Sequence, residues 1–345
     1  MKCTRCGTDV RYRDRKDGKC DRCGGRFAFE PKRGDPFTDQ AFKSALETVS
    51  GQARLRWGVE HLYWELARRR LKKARQESLG CSCLAGVAAA GSVFLSFASD
   101  FGFAWVAGLS LFLVAIGLWQ RGKRGGAARN LPLERFNRLW ERWCAAHGRP
   151  DTAILRERRK PRTPERDVYD YSFDRVVVCD RARSVDLLIA NNFHFENNCA
   201  VLSIGGYPEA VFDPVRAMLK RNPHIEVFAL HDATPFGCRV AHRLTHDPEW
   251  FPGRRVLDVG LRPRHVAKHE AYWLASEVRS VEAGGGLSTE EAAWLSRYQV
   301  ELAIYRPEAI LRALFRAINE SGEMALAGTD GAGPSDGDDG FDSFG

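Results

Sequence analysis

The stretch that decides the fold is RVVVC (175–179), ARSVDLLIANNF (182–193), CAVLSI (199–204), PEAVFDPVRAMLKRN (208–222), IEVFAL (225–230), PFGCRVAHRL (235–244) and RVLDVGL (255–261). Four short apolar runs rich in Val, Ile and Leu alternate with segments of helical length, and each run closes on polar residues. Buried strands separated by helices predict βαβ units and a mostly parallel sheet, because parallel neighbours need a crossover that a helix supplies. In such sheets ligands gather at the carboxyl ends of the strands. The residues following each run are therefore the first place to look for chemistry.

Those residues are GGYP (205–208), HDATPFG (231–237) and GLRPRHV (260–266). In this order and context they resemble the Toprim domain of the topoisomerase VI A subunit and its meiotic recombination relatives. The resemblance covers about 174–265, with a weaker echo in the helical GLSTEEAAWLSRYQVELAIYRPEAILRAL (286–314). It implies an α/β fold with trailing helices, and a site where a Glu ending the first strand and two Asp in the third-strand turn hold Mg²⁺. A hard divalent cation needs several anionic oxygens of that kind. This chain departs from the pattern. Asp232 is followed two positions on by Thr234 instead of a second Asp, and the first strand ends Cys179-Asp180, with Cys179 in the place of the Glu and Asp180 one residue out of register. No recognition domain carrying a nucleophilic Tyr precedes it; Tyr169 and Tyr171 fall in a basic linker. The domain is accordingly expected to be degenerate and non-catalytic. The rival expectation is a Mg²⁺-dependent phosphoester hydrolase or nuclease built on Asp180, Asp232 and Asp258.

Upstream, CTRCG (3–7) and CDRCGG (20–25) form a C-x2-C…C-x2-C pattern. Two knuckles of this spacing bring four thiolates to one tetrahedral Zn²⁺, so Cys3, Cys6, Cys20 and Cys23 are the expected ligands of a zinc ribbon over 1–30. The metal there is structural, because a module this small cannot bury a core of its own. Arg5, Arg11, Arg13, Arg22 and Arg26 with Tyr12 and Phe27 give the ribbon a basic, aromatic surface compatible with nucleic acid.

The region 36–150 reads as helical. DPFTDQAFKSALETVSG (35–51), WGVEHLYWELARRRLKK (57–73) and LERFNRLWERWCAAHG (133–148) carry apolar residues at helical spacing, with Trp57, Trp64, Trp140 and Trp143 as core or interfacial anchors. Between them lie two runs without a charged side chain, 81–99 and 101–119, divided by Asp100. Each approaches the roughly 20 residues a helix needs to cross a bilayer. They predict a transmembrane hairpin. RRRLKKAR before it and QRGKRGGAAR after it place both soluble parts in the cytoplasm by the positive-inside rule, at the plasma membrane of a prokaryote.

The segment 151–172 is a basic linker, 173–320 the Toprim-like unit, and 321–345 an acidic, Gly-rich tail expected to be disordered. Overall charge, with 52 Lys and Arg against 44 Asp and Glu, says less than its placement. The expected partners are the membrane, a protein bound by a scaffold and, through the basic ribbon and linker, nucleic acid. Two His pairs, His242/His246 with Cys238 and His265/His269, have helical spacing but read as the polar sides of helices, and His231 beside Asp232 is a candidate acid–base pair.

Overall fold

A computed structural model describes residues 1–73, 131–154, 173–250 and 252–319. The expected spans at 81–99 and 101–119, the linker tyrosines and the acidic tail lie outside the described residues. Among the described residues no helix is long and apolar enough to cross a membrane.

The centre is a parallel four-stranded sheet of β1 (Arg175–Cys179), β2 (Cys199–Ser203), β3 (Glu226–Leu230) and β4 (Val256–Asp258) in the order β2-β1-β3-β4. β1 pairs with β2 and β3 in register, Cys179 standing opposite Ser203 on one side and Leu230 on the other. Because side chains alternate along a strand, Val177, Cys179, Phe228 and Leu230 enter one core, while Val176, Val178, Val227 and Ala229 enter another. Helix α4 (Ala182–Ala190) covers the first face through Val185, Leu187 and Leu188. Helices α5 (Glu209–Arg221) and α6 (Val240–His246) cover the second through Val215, Leu219, Val240 and Leu244. The sheet is thus doubly wound, and its strand order reverses between β1 and β3. A crevice opens at such a reversal, since the connections leave in opposite directions.

Local departures from the sequence pattern have local causes. The expected helix 182–193 stops at Ala190, where the Asn191 side chain donates to the Leu187 carbonyl at 2.8 Å and Asn192 turns left-handed at φ 57°. A short helix, Phe193–Glu196, then restarts. The segment 235–244 begins as a 3₁₀ turn at Gly237–Arg239 before α6, its first amide held by the Thr234 hydroxyl at 3.0 Å.

The amino-terminal helices pack on the first face of the sheet. In α1 (Asp39–Val49), capped by the Thr38 hydroxyl on the Ala41 amide, Phe42, Ala45, Leu46 and Val49 are buried. Helix α2 runs over 59–73, and α3 (Leu133–His147) buries Phe136, Leu139, Trp140 and Trp143. All four tryptophans named above lie in this core. One continuous apolar cluster joins these helices to β1, β3, α4 and the last helix. Polar ties reinforce it: Trp64 Nε1 donates to Glu301 Oε2 at 3.0 Å, and buried Glu65 pairs with Arg68, Arg69 and Arg306. The start of the linker belongs to the same body, Trp57 bridging to Thr152 and Ile154 through backbone hydrogen bonds of 3.1 and 2.9 Å.

After β4 come a small antiparallel pair, β5 (Leu274–Ala275) with β6 (Tyr298–Gln299), helix α7 (Thr289–Leu295) and helix α8 (Pro307–Asn319). Ser288 and Glu291 start α7 with reciprocal capping hydrogen bonds.

Candidate functional site: a four-cysteine centre and a charge-locked strand end

Each amino-terminal knuckle repeats one turn. The Cys3 amide donates to Thr8 O and Gly7 N returns to Cys3 O; the Cys20 amide donates to Gly25 O and Gly24 N returns to Cys20 O. Gly7 and Gly24 adopt φ of 72° and 68°, a conformation that costs a side-chain-bearing residue about 1 kcal/mol. The four thiols converge with all sulfurs within 4.8 Å of one another, and Cys3–Cys23 and Cys6–Cys20 are each 3.7 Å apart. A Zn–S bond of about 2.3 Å in a tetrahedron requires sulfurs about 3.8 Å apart, so the set fits a zinc-sized ion. The Thr8 hydroxyl, 3.4 Å from Cys6 Sγ, and the Thr8 backbone pull the Cys6 thiol down to about 6, favouring the thiolate that a metal needs.

The ribbon is fastened to the body by the buried carboxylate of Asp39 and by Arg142, which donates to the Ala28 carbonyl at 2.6 Å. Asp39, fully buried in the first turn of α1, accepts from the Ala28 and Phe29 amides at 2.9 and 3.0 Å and lies 2.6 Å from His147 Nε2. Phe29 packs beside Phe42 and Trp143.

At the sheet, the loops after β1 and β3 meet at the topological reversal. Cys179 faces the core and does not reach the crevice; burial pushes its thiol well above the ordinary range. Asp180 takes the crevice position, with its side chain fully excluded from solvent. Its Oδ2 accepts the Asp232 amide at 3.1 Å, while Oδ1 has no hydrogen-bond partner. Burial, and then the Asp232 charge, push this carboxyl up to about 7. Gly237 is required beside it, since a Cβ there would stand 2.4 Å from Asp232 O and 3.0 Å from Asp180 Oδ2.

Asp232 is saturated. Oδ1 accepts the Leu302 amide at 2.7 Å, and Oδ2 pairs with Arg183 Nη2 at 2.5 Å and Arg181 Nε at 2.9 Å. Arg183 also donates to Glu301 Oε1 at 2.9 Å, which links the crevice to Trp64 of α2. Thr234, where the resembled family carries a second Asp, spends its oxygen on the Gly237 amide.

The third carboxylate is bound just as tightly. Asp258 Oδ2 accepts from Arg262 Nε at 2.8 Å and Nη2 at 2.5 Å, and Oδ1 lies 2.8 Å from His231 Nε2. His231 is wholly buried, and its Nδ1 lies 2.8 Å from the Asp232 carbonyl oxygen. A ring flanked by an acceptor at each nitrogen carries both protons. Burial alone would lower His231, but the hydrogen bond to Asp258, with further help from Cys238 and the Asp258 charge, raises it well above the ordinary imidazole value. Asp258 is held below the usual carboxylate range: burial pushes it up, and His231 and Arg262 together more than reverse that. Gly260 allows the arrangement, because a Cβ there would come within 2.3 Å of the His231 ring.

The structure therefore brings Asp180 and Asp232 into contact and ties Asp258 to them through His231. The partner of His231 is Asp258, not the Asp232 carboxylate beside it in sequence. Arg181, Arg183, Arg262 and Glu301 are members of the site that sequence reading did not single out; the pair of arginines immediately after a strand-end Asp was the available signal. Among the described residues, no set of three His, Cys, Asp or Glu side chains other than the four cysteines converges as metal ligands do. Cys238 is buried, its thiol donating to Leu261 O, so it does not join His242 and His246. In comparison with protein-family models, curated proteins and solved structures, nothing matches this chain. What stands is a mixed α/β fold with a parallel four-stranded sheet and a four-cysteine cluster able to hold a metal ion.

Two outcomes follow. Replacing Cys6 with Ser should abolish stoichiometric zinc in the purified full chain, read by atomic absorption, and expose 1–30 to proteolysis while the α/β sheet keeps its circular dichroism. Asp180 gives a pH signature. Its folded carboxyl holds a proton that the unfolded chain releases near 4, so the stability it contributes is complete below that and is lost as pH rises towards about 7. Denaturant unfolding of wild type should show this decline, at most ~1.4 kcal/mol per pH unit, and Asp180→Asn should flatten it.

Proposed function

We propose that this chain is a membrane-anchored, cytoplasm-facing binding or scaffold protein, in which a Toprim-like sheet serves as a non-catalytic platform and a structural zinc ribbon completes the soluble part. The observation that carries the reading is the saturation of Asp232: Arg181, Arg183 and the Leu302 amide take up both of its oxygens. Guanidinium groups stand where an active site of the resembled kind would need a metal and its waters. Arg181 and Arg183 already neutralise Asp232, so a metal there would have to displace both guanidinium groups. The Asp258–Arg262–His231 set meets the same objection. Anchoring rests on the two uncharged runs at 81–99 and 101–119 and their basic flanks. A protein partner fits a platform that holds its own charges closed.

One observation favours the rival, a Mg²⁺-dependent phosphoester hydrolase: the buried Oδ1 of Asp180 has no hydrogen-bond partner. A single titration separates the two readings. The full zinc-loaded chain in detergent or nanodiscs, titrated with Mn²⁺ and followed by electron paramagnetic resonance of the free ion, should show no stoichiometric binding at 0.1 mM protein or below, on the order of the concentrations that detect a Kd tighter than millimolar. One bound Mn²⁺ per chain, lost in Asp180→Asn, would establish the metal site and the hydrolase in its place.

A further inference from the structure

A groove of about 780 Å³ lies where the four-cysteine ribbon meets the amino-terminal helices. The two knuckle turns form one wall, and α1 with the end of α3 forms the other. Both walls supply cations: Arg5 and Arg26 from the ribbon, Lys43 from α1 and Arg149 from the turn after α3. Arg5 and Arg26 are exposed and make no ion pair among the described residues. Arg5 lies along the ribbon backbone, where a Cβ at Gly25 would stand 3.6 Å from its Cδ. Arg149 reaches the Cys144 thiol, and Lys43 stands 3.9 Å from Glu47, the one carboxylate of the lining. Solvent-exposed pairs hold their partners weakly, so four positive charges face a single negative one across this groove.

A strained turn forms part of the rim. Gly51, Gln52 and Ala53 are all left-handed, at φ of 54°, 59° and 67°. Glycine adopts that conformation freely, whereas Gln52 and Ala53 each give up about 1 kcal/mol to hold it. The Gln52 amide on Glu47 O at 2.8 Å and the Ala53 amide on Ser50 Oγ at 3.0 Å keep the turn in place. It sets the exposed Gln52 side chain on the groove with no hydrogen bond among the described residues, and Thr4 on the ribbon wall leaves its hydroxyl equally uncommitted. Strain of this kind persists where the geometry it enforces serves a site.

Arg, Lys, Thr and Gln are the side chains that hold phosphodiester oxygens. The large apolar side chains of the lining, Leu46 and Trp143, are only 8% and 4% exposed, so the groove offers neither the apolar anchor on which a protein interface centres nor an aromatic face for a base. We infer that this groove binds the sugar–phosphate backbone of single-stranded nucleic acid without regard to sequence. One strand lies between the ribbon arginines and the cations of the helical wall, and Thr4 and Gln52 donate to its phosphates. The inference concerns the ribbon and its seat, and is independent of the non-catalytic reading of the strand end.

Fluorescence anisotropy of a labelled oligothymidylate, titrated with the full zinc-loaded chain in nanodiscs of neutral lipid, tests it. Each phosphate neutralised on a single strand adds about 0.7 to the slope of log affinity against log salt. Four cations therefore predict that affinity falls about 50-fold as salt rises fourfold from roughly 50 mM. Arg5→Gln combined with Arg26→Gln should halve that slope and cut the fall to about sevenfold. Arg5→Lys with Arg26→Lys should keep the full slope, and so should Arg11→Gln with Arg13→Gln, which removes the same charge from ribbon positions outside the groove. Unaltered zinc content and unfolding transitions show that the variants fold, and the Lys pair separates lost charge from lost shape. Absence of binding would overturn the inference. So would a salt response that the Arg11 and Arg13 changes reduce as much as the Arg5 and Arg26 changes do, which would mark a diffuse basic surface. Displacement by oligoglutamate of equal charge as effectively as by unlabelled oligothymidylate would also overturn it, in favour of an acidic protein partner.

Discussion

The crevice depends on a local balance of charge between buried carboxylates and the cations that stand against them. Isolated charges in a protein interior are costly, and ion pairs offset that cost only with good geometry and further hydrogen bonds. Here Asp232 has two arginines and an amide, and Asp258 has an arginine and a doubly bonded histidine. Asp180, lacking a cation of its own at hydrogen-bonding distance, is the member whose charge is disfavoured. The strand-end loops, the glycines that let Asp180 and His231 approach so closely, and the segment at 301–302 are arranged around this set.

The same network reaches the rest of the molecule. Arg183 joins Asp232 to Glu301, and Glu301 joins Trp64 in the middle of α2. Next to Trp64, Glu65 pairs with Arg306, and one turn further along α2 Arg68 pairs with Glu65 and donates to the carbonyl of Ile304. The helix that leads towards the uncharged runs is thus connected to the sheet's functional edge by packed aromatic surface and by charge. A single core spans the amino-terminal helices and one face of the sheet.

Much of this was legible in the residues. The continuous apolar runs RVVVC and IEVFAL mark strands buried on both faces, and the helix-length connections between strands fix parallel pairing. The twin C-x2-C knuckles announce four converging sulfurs. The charge network was not legible, because it is made by residues distant in sequence. Arg183 and Glu301 meet across 118 positions, and His231 finds Asp258 across 27 instead of pairing with the Asp232 carboxylate next to it. Side-chain reach decided those pairings, and periodicity carries no information about reach. Thr234 illustrates the same limit: its sequence shows a lost carboxylate, and only the structure shows the hydroxyl capping Gly237.

The most direct test of a strand end balanced by its own cations is the protonation state of His231. Nitrogen-15 spectroscopy of histidine-labelled full chain at pH 7.5, assigned with a His231→Gln variant, reads both ring nitrogens. The account predicts that Nδ1 and Nε2 each carry a proton, well above the pH at which an ordinary imidazole has lost its charge. A neutral ring, with one nitrogen unprotonated at that pH, would contradict it.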